Sequence, residues 1–124
     1  MKVARLKPAF RDRRGAITDI LTHVSVDAVT IITCRKGSKR GNHFHKKTIQ
    51  YTYIVSGRMK YLTRPSGGKL RSRIVGPGCL VESPAKENHA FVALTDSVIL
   101  SLSSGPRRGF DFEKDTFRLE RPLA

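Results

Sequence analysis

Gly41-Asn42-His43-Phe44-His45-Lys46-Lys47-Thr48-Ile49-Gln50-Tyr51-Thr52-Tyr53-Ile54-Val55-Ser56-Gly57 is the stretch that decides the fold. Its second half alternates over residues 48–56, with Ile49, Tyr51, Tyr53 and Val55 on one face and Gln50, Thr52 and Ile54 on the other. That is the period of a β-strand. The first half is also strand-like, so His43 and His45 leave the same face and point into one place. Gln50 keeps a compatible spacing across a short turn. Ser56-Gly57 signals a hairpin into a second alternating run over residues 58–64. There Met59, Tyr61 and Thr63 oppose Arg58, Lys60, Leu62 and Arg64.

Outward from this stretch, residues 16–21 and 28–34 are short apolar runs rich in Ile, Val and Thr. Pro65-Ser66-Gly67-Gly68 is a turn by composition, and Gly76-Pro77-Gly78 ends a strand over residues 70–75. Residues 79–82, 89–94 and 97–103 complete the set, with Thr95-Asp96 as a tight turn between the last two. Many short strands punctuated by Gly and Pro predict an all-β sandwich or barrel with no long helix. A length of 124 residues fits one domain over residues 1–124. Arg107-Arg108 reads as a solvated loop, and residues 110–119 form a tail of mixed signals.

Composition narrows the function classes. No apolar run reaches the ~18 residues of a membrane span. The basic start, residues 1–14, lacks an apolar centre and a small-residue cleavage site, so no secretory signal is expected. Cys34 and Cys79 are too few for a disulfide framework and form no CxxC pair, which predicts reduced thiols in a cytosolic protein. The charge is uneven. Up to Arg73 there are 18 Lys or Arg against 3 Asp or Glu, and from Ile74 onward 6 against 7. Such an excess draws anions: nucleic acid, a phosphate-bearing metabolite or an acidic surface. The lack of a nucleic-acid-binding motif, and few aromatics beside the basic runs, argue against nucleic acid.

Gly41, His43, His45, Gln50 and Gly57 resemble the first motif of the cupin family, in which a glycine precedes an HxH pair, an acid and a closing glycine. Gly76, Pro84 and His89 resemble the second, a glycine, then a proline, then a histidine. The two motifs, at about residues 41–57 and 76–94, stand in order and at a suitable separation. The resemblance implies a cupin jelly-roll β-barrel, a double-stranded β-helix, with His43, His45 and His89 inside its mouth. It also implies a homodimer, often formed by exchange of an N-terminal strand; an edge strand such as residues 16–21 would gain ladder hydrogen bonds that way. Gln50 stands where the family carries a glutamate, and a neutral amide oxygen binds a divalent cation less strongly than a carboxylate. The metal ligands implied are therefore His43, His45, Gln50 and His89. Imidazole suits several ions, so zinc, iron, nickel or manganese stays open.

Residues 40–47, followed by Gln50, more narrowly resemble the cupin-type 3,4-ketoisomerases and 3,5-epimerases of nucleotide-linked deoxysugars. Residues 84–96, with His89-Ala90-Phe91 and Leu94-Thr95-Asp96, are similar to the matching segment of the epimerases. That resemblance implies that His43 and His45 carry protons with no metal required, and that Gln50 is a hydrogen-bonding neighbour. The substrate implied is a dTDP- or UDP-linked deoxysugar. Moving a keto group requires a base with a pKa near neutrality, which histidine supplies unperturbed. The enediolate formed is negative and gains from cations or a tyrosine hydroxyl. Arg35, Arg40, Arg58, Lys60 and Tyr61 are candidates by position, beside Gln50 and His89. The epimerases carry a catalytic tyrosine after the second motif. Ser101-Leu102-Ser103-Ser104-Gly105-Pro106 has none, which points away from 3,5-epimerisation. The alternatives are a metal-dependent cupin of the dioxygenase type and a non-catalytic barrel that holds an anionic ligand.

Overall fold

A computed structural model describes residues 1–106 and 113–124. Two five-stranded sheets face each other. The first runs β1 (Lys2–Arg5), β9 (Cys79–Ser83), β6 (Ile49–Ser56), β11 (Ser97–Ser104), β4 (Ala28–Cys34). The second runs β12 (Thr116–Arg118), β5 (Lys39–His45), β10 (Asn88–Ala93), β7 (Met59–Arg64), β8 (Arg71–Val75). A separate hairpin pairs β2 (Phe10–Asp12) with β3 (Gly15–Ile17). Every pairing is antiparallel. The expected all-β architecture is the one observed.

Alternation sends one face of each strand inward. Ile54, Met59, Tyr61, Val75, Val81, Phe91 and Ile99 meet between the sheets as the main core. Gln50, Thr52 and Ile54 form the inward face of β6, so Tyr51 and Tyr53 lie on the outer face. Tyr51 is nevertheless buried, in a shallow groove with Val3, Leu21, Val24 and Leu80. On the outer face of β7, Leu62 is covered by Leu123 beside Ala90.

The Ser56-Gly57 hairpin is not formed. β6 pairs β9 and β11, whereas β7 pairs β10 and β8. Alternation identifies a strand but not its partner. Gly57 turns the chain from one sheet to the other with φ +86°, and a Cβ there would collide with Ser97 and the Asp96 carbonyl. The Thr95-Asp96 turn makes the return crossing, and the two corners are bonded together. The Arg58 N–H donates to Thr95 Oγ1 at 2.9 Å, and the Leu94 N–H donates to the Arg58 carbonyl at 2.9 Å. The hairpin between β7 and β8, through Pro65 to Gly68, does form.

The strand expected over residues 16–21 is also shorter: β3 stops at Ile17, and residues 18–21 are not strand. β1 escaped the apolar pattern because it is a charged edge strand, with Lys2 opposite Glu82. The mixed tail supplies β12, while Arg107, Arg108 and residues 110–112 lie outside the described residues. Among the described residues no helix is long and apolar enough to cross a membrane.

Candidate active site

His43 and His89 are direct cross-strand partners on β5 and β10. Their ring centroids stand 4.7 Å apart, and His45 lies 4.6 Å from His43 and 5.5 Å from His89. One nitrogen from each ring falls within 4.8 Å of the others. The two distant sequence segments therefore do converge.

A β-bulge sets this geometry. Arg40 pairs Phe91 and Gly41 pairs Ala90, but the next β10 residue, His89, pairs His43 and skips Asn42. Gly41 has φ +85° and Asn42 φ +55°. A Cβ on Gly41 would sit 2.9 Å from the His89 carbonyl oxygen, so only glycine lets the strands approach so closely. The extra residue resets the alternation. Arg40, three positions before His43, thereby lines the same cavity. Asn42 instead reaches the C-terminal segment, where its Oδ1 accepts the Leu123 N–H at 2.8 Å and the Ala124 N–H at 3.1 Å.

The cavity has a volume of about 360 Å³. Gln50 on β6 and Ser101 and Ser103 on β11 line it from the first sheet, facing His43 and His89. Lys39, Arg40 and Arg118 add positive charge, with Glu113 and Thr116 beside them. The Gln50 amide donates to Thr52 Oγ1 at 3.4 Å.

Backbone carbonyls fix two of the imidazoles. His45 Nδ1 lies 3.0 Å from the Asp115 carbonyl, and His89 Nδ1 lies 3.2 Å from the Glu87 carbonyl. A carbonyl only accepts, so Nδ1 carries the proton in both rings. His89 Nε2 is then a lone-pair acceptor, buried and without a hydrogen-bond partner among the described residues. Burial pushes the His89 pKa down to about 3, and repulsion by His43 and His45 adds to it. Burial likewise pushes His43 down to about 4, with His45 and Arg118 contributing. Both rings are neutral at pH 7.

Three imidazole nitrogen donors, two of the rings oriented by carbonyls through the other ring nitrogen, are a donor set that fits a divalent cation of the zinc type. Gln50, in the same cavity, is the one further oxygen donor of the expected set.

The remaining expected residues divide. Arg58 sits at the corner beyond the far end of β6, roughly 20 Å along the strand from Gln50, and is exposed. Lys60 occupies the outer face of β7, opposite Tyr61, because side chains alternate. Arg35 follows β4 at the same far end, where the next amide, that of Lys36, binds Asp96. These three lie outside the cavity. Tyr61 points inward but is wholly buried below it, with its hydroxyl bonded to Ser83 and its ring 6.4 Å from His89.

Asp115 had no signal in the sequence, being a lone acid in an unpatterned tail. Its carboxylate accepts the N–H groups of Lys46, Lys47 and Thr48 and the Thr48 hydroxyl, at 2.6 to 3.2 Å. Burial pushes this carboxyl up, but those bonds outweigh it and hold it below its ordinary value. One residue thus clamps the β5–β6 turn with its side chain and orients His45 with its carbonyl.

No protein-family model matches the chain, and no curated protein matches it in sequence. Solved structures do. The sugar 3,4-ketoisomerase QdtA from Thermoanaerobacterium thermosaccharolyticum, in complex with TDP, is 21% identical with a TM-score of 0.80, over 96% of this chain and 88% of that one. A mutant of that enzyme in complex with TDP-4-keto-6-deoxyglucose gives 21% identity and a TM-score of 0.79, over 94% and 86%. A dTDP-4-dehydrorhamnose 3,5-epimerase from Sulfolobus tokodaii is 20% identical with a TM-score of 0.70, over 84% and 68%. At these identities the likeness is one of fold, and the fold is the cupin β-barrel.

Proposed function

We propose that this protein is an isomerase that moves a proton beside a carbonyl on a nucleotide-linked deoxysugar, and that it works as a homodimer. One observation carries the proposal: His43 and His89 are held neutral in a cavity with cations at its wall. A neutral imidazole accepts a proton, and a positive wall stabilises both an enediolate and a diphosphate. His43 is the base, since it is the more open of the two rings that line the cavity. Removing the proton from the hydroxyl-bearing carbon next to the carbonyl leaves the enediolate, the hydroxyl proton passes to the former carbonyl oxygen, and returning a proton at the former carbonyl carbon completes the shift. His45, behind His43, takes part in the relay. Arg40 and Arg118, which line the cavity, meet the negative charge. The ligands of the structural neighbours, TDP and TDP-4-keto-6-deoxyglucose, are the compounds to try first.

The test is solvent-deuterium incorporation into TDP-4-keto-6-deoxyglucose, followed by NMR. His43→Asn is expected to lower incorporation by at least about 100-fold, with folding and TDP affinity retained. Unchanged incorporation in that variant would remove His43 as the base.

The three clustered imidazole nitrogens support a second function, a metal-dependent cupin. His43, His45 and His89 would hold the ion, with Gln50 as a weak fourth ligand. A bound ion would supply Lewis-acid polarisation of a substrate oxygen. Stoichiometric metal in the purified protein, lost with His89→Ala, is the result that favours it.

A further inference from the structure

The inward face of the first sheet changes character along its length. Across β4, β11 and β6, one row is Ile32, Ile99 and Ile54, and it belongs to the apolar core. The next row is Thr30, Ser101 and Thr52, and the one after it is Ala28, Ser103 and Gln50. Oil gives way to hydroxyls at the level of the imidazoles.

Ser101 and Ser103 are 7% and 3% exposed, and both line the cavity across from His43 and His89. Two other polar groups on the inward face of this sheet have partners. Gln50 bonds Thr52, and Ser83 bonds Tyr61. Neither the Ser101 nor the Ser103 hydroxyl has a hydrogen bond among the described residues. Neither oxygen is sealed off from solvent, so both hydroxyls open onto the cavity and are available to a ligand. The two residues stand two apart on one strand, about 7 Å between their Cα atoms, a span that brackets two hydroxyls of a sugar ring.

We infer that Ser101 and Ser103 bind substrate: they hydrogen-bond the ring hydroxyls of a hexose and hold its carbonyl-bearing edge against His43 and His89. This rests on the nucleotide-sugar function proposed above and assigns the sugar, as distinct from the nucleotide, to the serine wall.

Calorimetric titration of the full chain with TDP and with TDP-4-keto-6-deoxyglucose tests it, using the double variant Ser101→Ala/Ser103→Ala. The parent is expected to bind the sugar nucleotide more tightly than TDP. In the variant, TDP affinity stays within about twofold, sugar-nucleotide affinity falls about tenfold, and the melting temperature is little changed. Equal sugar-nucleotide affinity in parent and variant overturns the assignment while leaving the nucleotide-sugar function standing. An equal loss for both probes also overturns it, because the effect would not be specific to the sugar. Failure of the parent to bind either probe overturns the function and the assignment together.

Discussion

Asp115 shows how much one side chain can determine. Its carboxylate binds three amides and a hydroxyl of the β5–β6 turn, the last amide and the hydroxyl both on the buried Thr48. Asp115→Asn keeps the shape but loses the charge and half of the acceptor capacity, and is expected to cost about 1–3 kcal/mol, read as a lower urea midpoint. The imidazoles make a second prediction. His43 and His89 have folded-state pKa values below the ordinary histidine value, so the unfolded chain binds more protons. Their stabilising contribution is complete above about pH 6.5 and is lost as pH falls through about 4. The loss should total roughly 2–4 kcal/mol, less than two independent shifts would give, because the rings titrate against each other. Asp115, also lowered, adds in the same direction at more acid pH. Urea midpoints from pH 4 to pH 7.5 measure this, and His43→Asn should flatten the upper part of the profile. The histidines were legible in the sequence because their chemistry is rare and their spacing is that of a strand. Asp115 was not, since its role comes from a tertiary contact across 67 to 69 positions.

Among the elements, alternation made β6 and β7 readable residue by residue, including which faces carry Gln50 and Tyr61. It failed at partners and at irregularities. Ser56-Gly57 has hairpin chemistry, yet the corner it makes joins two sheets, and only the packing against Asp96 and Ser97 reveals this. Gly57→Ala must accept both that collision and a positive φ. A loss of at least about 2 kcal/mol is expected, seen as a fall in thermal midpoint of several degrees. The bulge at Asn42 was equally hidden. Nothing in Arg40-Gly41-Asn42 announces that Arg40 will join His43 on the inner face. Arg58 and Lys60 were chosen by nearness in sequence, and the corner and the pleat carry them away from the cavity.

At the scale of the whole molecule, the first sheet carries exposed apolar side chains on its outer face. Lys39, Arg40 and Arg118 gather at the cavity, while the outer edge of the first sheet leaves Val29 and Ile31 exposed at 64% and 69%. A second copy covering this face would bury both residues and shield the edge strand β4. Sedimentation velocity is expected to show a dimer for the parent chain and a monomer for Ile31→Lys, and a monomeric parent would refute the dimer.

The single surplus residue at Asn42 also governs which length changes the chain tolerates. An insertion or deletion of one residue between Arg40 and His43 would reverse the parity of everything up to the next turn. It would turn both β5 imidazoles to solvent and bring Phe44 in. The turn around Ser66 and Gly67 carries no such constraint, being exposed and contributing no side chain to the cavity wall. Descendants of this sequence that keep the three-imidazole centre are free to vary in length at that turn, and must hold the count fixed between Arg40 and His43.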